Sequence, residues 1–241
     1  MITQAMVFAA GKGVRMMPLT ANRPKPMLDV LGKPLLGHAL DGIAAAGIKN
    51  VVVNAHHCPE AIEQFIPQHV KISKEDTLLE TGGAVRKALD DGLLNPTQPF
   101  LAVNSDILCT TGSRPPIERL QDKWNELGDK ADVLLLLVPK ANAWGHDSDK
   151  ADYIMNSAGQ LERLSSPAAD YVYASLQIVR PELYKNHMSG TSFSNRDIFD
   201  AAQTAGRLYG LVHDGGWYHF STPQSLDLFH QQVAPQLQPA P

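Results

Sequence analysis

The sequence predicts an α/β domain in which a largely parallel sheet carries helices on its faces. Three observations lead there. Short apolar runs of strand length recur along the chain, segments with helical periodicity lie between them, and the first connection is rich in glycine and proline. Strand, glycine loop, helix, strand is the expected unit, because parallel neighbours need a long crossover connection and commonly use a helix for it.

Taken in order, residues 5–10 (AMVFAA) form a strand-length run that ends at Gly11. Residues 35–46 carry helical spacing and stop at Gly47, a residue suited to closing a helix. Residues 51–54 read as a second buried strand, 59–65 as a short helix and 70–73 as a short strand. A helix over 82–89 starts at a pair of glycines, and the strand 100–103 ends in Asn104-Ser105-Asp106. Residues 117–127 read as a helix, and 133–138 (VLLLLV) form the most apolar strand. Residues 140–152, rich in Asp, Asn, Gly and Lys, are expected to form a surface loop or the base of a lid. A hairpin is expected from 153–155 and 161–164, then a strand over 171–179, a helix over 195–205 and a strand over 208–213. Residues 223–233 make a final helix with Pro223 in its first turn. The Pro/Gln-rich residues 235–241 are expected to be a flexible tail, leaving 1–234 as one domain.

A chain of 241 residues can bury a large core, and 44% hydrophobic against 19% charged residues suits a folded soluble protein. The formal net charge of -4 offers no long basic face for nucleic acid, so a small anionic substrate at a local positive site is the expected partner. Near-neutrality names no partner by itself. Cys58 and Cys109 have neither CxxC nor zinc-ligand spacing, and a reducing cytoplasm is the expected compartment. No basic leader precedes the first apolar run, and no span approaches the roughly 20 apolar residues that cross a bilayer, so no membrane partner is expected. The sequence does not reveal an oligomeric state.

The most informative segment runs from Ala9-Ala10-Gly11-Lys12-Gly13-Val14-Arg15 to Arg23-Pro24-Lys25-Pro26. Glycines at the end of a strand let backbone N–H groups approach phosphate oxygens closely. Arg15 adds a forked set of donors and Lys25 a point charge between two prolines that restrict its backbone. A fixed cation there suits a reaction whose charge moves onto a leaving pyrophosphate. GxG alone reads first as an ordinary tight turn; with Arg15 and the RPKP segment added, a phosphate site is expected.

The segment AAGKGVRMMPLTANRPKPML resembles the signature of the sugar-1-phosphate nucleotidyltransferases. The resemblance implies a Rossmann-like three-layer sandwich with a mixed, mostly parallel central sheet. It also implies that Ala10, Gly11, Gly13 and Arg15 bind a nucleoside triphosphate while Lys25 contacts the reacting phosphates. LLETGGAV is similar to the family's LETGGA segment, which implies that Glu80, Thr81 and Gly82 line the site near base and ribose. A helix cap explains the same residues. Two glycines also permit a flat ligand to come close.

Asp106 falls at a strand's C-terminal edge, where open α/β sheets bind ligands, and a carboxylate there can hold Mg²⁺ between triphosphate oxygens. Capping of the next segment is the alternative role. Relatives carry a glycine where this chain has Ser105, which questions the local backbone angle. Asn54, ahead of His56 and His57, matches a family Asn-x-His arrangement beside the sugar, although a surface turn explains it almost as well; the histidines have no further cluster that would imply zinc. Asn104 and Ser175 are the other sugar-phosphate candidates, with Ser175 in place of a family glycine in Tyr173-Ala174-Ser175-Leu176-Gln177.

Family members read Trp-x-Asp where this chain has Trp217-Tyr218-His219, so the second metal carboxylate is replaced by an imidazole. His219 is then either a weaker ligand, shifting preference from Mg²⁺ towards Mn²⁺ or Co²⁺, or a packing residue beside Asp106 alone. Asp214 is close enough in sequence to be a substitute ligand. The resemblance implies attack of a sugar-phosphate oxygen on an α-phosphorus with Arg15, Lys25 and Asp106 as the catalytic group, by alignment and charge neutralisation. The short ETGG form looks most like members that use UTP and N-acetylmuramic acid 1-phosphate in peptidoglycan recycling. Guanylyl transfer to a mannose- or heptose-type 1-phosphate and a catalytically weak nucleotide-sugar binder are the alternatives.

Overall fold

The computed structural model describes residues 1–146, 149–166 and 168–237. β1 (Gln4–Phe8) leads into a loop with two short helical turns and a two-residue hairpin, β2 (Asp29–Val30) and β3 (Lys33–Pro34). Then follow α1 (Leu35–Ala45), β4 (Asn50–Ala55), α2 (Pro59–Phe65), β5 (Lys71–Lys74), α3 (Glu80–Asp90), β6 (Phe100–Asn104) and β7 (Ile107–Cys109). The second half comprises α4 (Pro116–Leu127), β8 (Val133–Pro139), β9 (Ala151–Met155), β10 (Leu161–Ser166), β11 (Tyr171–Val179), α5 (Asn195–Thr204), β12 (Leu208–Val212), β13 (Trp217–His219), α6 (Pro223–Leu228) and α7 (Ala234–Leu237).

β5, β4, β1 and β6 lie side by side and parallel, as the βαβ pattern predicts. The sheet turns mixed at β11, which runs antiparallel to β6 and β8, while β12 returns parallel to β8. Alternation along the strands builds the three layers. Leu134, Leu136 and Val138 of β8 join one core with Leu36, Ile43, Ile62 and Trp124, whereas Val133, Leu135 and Leu137 join the other with Val85, Ala88, Ile198 and Phe199. A period of two thus sends one apolar strand into both cores, which is why it reads as an unbroken apolar run.

A third cluster brings Met16, Leu28 and Val30 from the first loop, with Leu35 at the start of α1, against Phe220, Leu226 and Phe229. The start of α6 is set by a reciprocal cap: the Thr222 side chain accepts from the Ser225 amide and the Ser225 hydroxyl accepts from the Thr222 amide. The last helix is not one regular rod, since a wider helical turn over Phe229–Val233 separates α6 from α7. The tail expected from residue 235 includes helical residues up to Leu237, and its remainder, 238–241, lies outside the described residues. Of the loop expected over 140–152, Lys140–Asn142 form a short helical turn, 147–148 lie outside the described residues, and Ala151 and Asp152 already belong to β9. Among the described residues, no helix is long and apolar enough to cross a membrane.

Candidate active site

A cleft of about 390 Å³ opens at the C-terminal ends of β1, β4, β5 and β6. Ala10, Gly11, Gly13, Arg15, Lys25, Asn54, Glu80, Thr81, Asn104 and Asp106 all line it. Gly13 has φ 61, and a Cβ there would meet Thr20 at 3.0 Å and Lys25 at 3.1 Å, so both backbone angle and space favour glycine. The Thr20 hydroxyl donates to the Gly13 carbonyl at 2.8 Å, which fixes the loop from below. Pro24 and Pro26 are buried on either side of Lys25.

Lys25 reaches across the cleft, and its Nζ donates to Asp106 Oδ2 at 2.9 Å with the lysine side chain only 12% exposed. Asp106 sits in the turn between β6 and β7. Ser105 before it donates both its amide (3.2 Å) and its hydroxyl (2.5 Å) to the Phe8 carbonyl, tying β6 to β1. The Ser105 φ is not positive, so replacement of the family glycine leaves the turn unstrained.

β7 pairs antiparallel with β13 in the register His219↔Ile107. This ladder brings His219 Nε2 to 3.5 Å from Asp106 Oδ2, the same oxygen that Lys25 holds. Burial alone would raise the Asp106 pKa, but the Lys25 charge and the hydrogen bonds and charge of His219 and Lys25 outweigh it and hold the carboxyl well below the usual range. Asp106 Oδ1 is buried without a partner. A lone carboxylate oxygen with open acceptor capacity fits Mg²⁺, which takes one or two carboxylates and completes its shell with phosphate oxygens and water. Among the described residues there is no group of three or more His, Cys, Asp and Glu that could hold an ion unaided.

Three expectations need correction. Asp214 does not reach the cleft: it pairs with Arg119 at 2.6 Å and accepts from the Ser113 hydroxyl at 2.6 Å. Gly82 does not line the cleft: a Cβ there would meet the Phe193 ring at 2.4 Å, and at Gly83 the Thr191 carbonyl at 2.4 Å. The paired glycines make room for the 191–193 segment, whose Phe193 carbonyl accepts both their amides at 2.9 and 3.1 Å. Ser175 lies behind the cleft wall, where its hydroxyl accepts from the Asn104 amide at 3.3 Å. It keeps φ 66, the left-handed geometry that glycine adopts without strain.

Asn54 acts inside the wall. Its side-chain oxygen accepts from the Ala9 amide at 2.7 Å, and its amide donates to Glu75 Oε1 at 2.7 Å. Glu75 Oε2 in turn accepts from the Leu79 amide at 3.0 Å, immediately before Glu80. The chain Ala9–Asn54–Glu75–Leu79 therefore joins the glycine loop to the segment that opens α3. Glu80 there has φ 58, a costly angle for a residue with a Cβ and one held by its surroundings. Sequence reasoning missed Glu75; its place just after the predicted strand 70–73 was the available signal, the same one that found Asp106. Burial pushes the Glu75 pKa up, opposed by the hydrogen bonds from Asn54 and Leu79. His56 and His57 bond the carbonyls of Glu75 (2.8 Å) and Thr20 (3.1 Å), so both brace loops.

Residues 4–146 match the family model described as Nucleotidyl transferase. The chain is 30% identical over 231 residues to the N-acetylmuramate alpha-1-phosphate uridylyltransferase of Caulobacter vibrioides, covering 92% of this chain and 93% of that one. It is 26% identical to mannose-1-phosphate guanylyltransferase 1 of Arabidopsis thaliana over 92% of its own length but only 62% of that protein's. The fold is shared with the crystal structure of HddC from Yersinia pseudotuberculosis complexed with GMP-PN, at a TM-score of 0.73, 16% identity, and coverage of 98% and 100%.

Proposed function

The chain belongs to the nucleotidyl transferase family, and on that premise we propose that it joins a nucleoside triphosphate to a sugar 1-phosphate and releases pyrophosphate. The observation that carries this reading is the Lys25–Asp106 pair on the floor of a cleft walled by the Gly11–Arg15 loop. The amides around Gly11 and Gly13, with Arg15, bind the triphosphate. Glu80 and Thr81 border the base and ribose, and Asn104 borders the sugar phosphate. An oxygen of the sugar phosphate bonds to the α-phosphorus as the bond to the bridging oxygen breaks, and that electron pair leaves with pyrophosphate. Lys25 sits where it can meet the charge that develops on the phosphates, and this needs alignment more than a strong base. Mg²⁺, when bound at Asp106, would neutralise part of the triphosphate charge; His219 is the second candidate ligand.

Two pairings compete for the finer reading. GTP with a mannose- or heptose-type 1-phosphate draws on the guanylyltransferase relatives, of which the chain spans under two thirds. UTP with N-acetylmuramic acid 1-phosphate, and with it a part in peptidoglycan recycling in the cytoplasm, draws on the relative matched over nearly its whole length. The test is a matrix assay of UTP, GTP, CTP, ATP and dTTP against these and other sugar 1-phosphates with Mg²⁺. Pyrophosphate is expected only when both substrates are present, and its absence from every pairing would overturn the proposal.

A further inference from the structure

A second cavity, of about 220 Å³, adjoins the cleft and shares Thr81 and Asn104 with it. It lies between β9, β10 and β11 and the start of α5, and its polar lining is unevenly matched. Gln177 is fully buried there; its side-chain oxygen accepts from the Tyr173 hydroxyl, but its amide nitrogen has no acceptor. A buried amide donor left unpaired is costly, and ligand or water normally answers it. Arg196, in the first turn of α5, is exposed and its guanidinium has no ion-pair or hydrogen-bond partner among the described residues. Arg163, by contrast, is engaged by Asp200 through two bonds of 2.9 and 2.7 Å. The lining offers one carboxylate, Asp152, which accepts from the Tyr173 amide at 2.9 Å.

The cavity therefore presents an unpaired buried amide and an unengaged guanidinium beside a single carboxylate that is already partly used. We infer that this cavity is the specificity pocket for a carboxylate-bearing substituent on the sugar, with Arg196 and Gln177 as the residues that read it. The carboxylate accepts from the Arg196 guanidinium and the Gln177 amide, and Asp152 accepts from a hydroxyl or amide N–H of the same sugar. The inference rests on the transferase reading for the presence of a sugar phosphate in the adjoining cleft, and it favours an acidic sugar whichever base is used.

N-acetylmuramic acid 1-phosphate and N-acetylglucosamine 1-phosphate differ only by an acid-bearing ether substituent, which makes them the probes. Binding of each to the full chain is measured by calorimetry, with and without nucleotide, alongside pyrophosphate release. The native protein is expected to bind the acidic probe about tenfold or more tightly than the neutral one, the effect of one charge-assisted hydrogen-bonding group. Arg196→Ala should erase that preference while leaving affinity for the neutral probe within about twofold, and Arg196→Glu should reverse it. Equal affinities in the native protein, or an equal loss for both probes in Arg196→Ala, would overturn the inference. Because binding is read directly, a preference without pyrophosphate release would count against the transferase reading alone.

Discussion

Breaking the Asn54–Glu75 link tests whether the nucleotide wall is held by this buried chain. In Glu75→Gln, the new side chain has one acceptor where the carboxylate had two, while the donors on Asn54 and Leu79 remain. Rotating the Asn54 amide only moves the conflict to the Ala9 amide, which then faces a donor. Every arrangement leaves one buried donor unanswered, at a cost of about 1–3 kcal/mol. Removing a buried charge offsets part of this, so a net loss of about 1–2 kcal/mol at neutral pH is expected, with the KM for nucleotide raised about five- to tenfold. The offset has a pH signature. The folded Glu75 pKa is raised above 4.5, so its contribution to native stability is greatest below pH 4.5 and falls as pH rises through the folded pKa. The stability gap between native protein and Glu75→Gln should therefore narrow as pH rises through that range. Urea unfolding across pH, with an Asn54→Ala, Glu75→Ala double-mutant cycle, measures both effects. A cycle coupling below about 0.3 kcal/mol, together with unchanged KM, would refute the reasoning.

Two further substitutions probe the charge centre. Lys25→Ala should lower kcat by about 10²- to 10³-fold, the scale of losing one transition-state donor, with a much smaller change in urea midpoint; unchanged turnover would remove Lys25 from the reaction. His219→Asp places a second carboxylate beside Asp106 and should lower the Mg²⁺ concentration needed for half-maximal activity several-fold, whereas identical metal titrations would exclude a ligand role at that position.

The sequence showed most where a local pattern carries the physics. β1, the glycine loop and the proline-flanked Lys25 are a contiguous statement, and β8 needs no partner to be recognised as a doubly buried strand. Asp106 was found because the end of an apolar strand marks a place in the sheet. Pairings between distant short segments were invisible. β7 and β13 are three residues each and acquire meaning only through their shared register. The β2–β3 hairpin turns on Leu31 and Gly32, at φ 55 and 78, with strands too short to show alternation. The role of Gly82 was misread for a related reason. A missing side chain makes space, but the sequence does not say whether a ligand or a neighbouring segment fills it.

That neighbouring segment gives the two cavities a common wall. The Phe193 carbonyl is held by the amides of Gly82 and Gly83, and the Asn195 amide donates to the Thr81 hydroxyl at 2.9 Å, so the opening of α3 and the start of α5 are hydrogen-bonded to each other. A nucleotide that shifts Thr81 would act on the backbone at Asn195 through that bond, one residue from Arg196, so the two ligands would be coupled through the wall they share. Thermodynamic reciprocity then ties the substrates together: whatever factor the nucleotide adds to the affinity for the sugar, the sugar returns to the nucleotide.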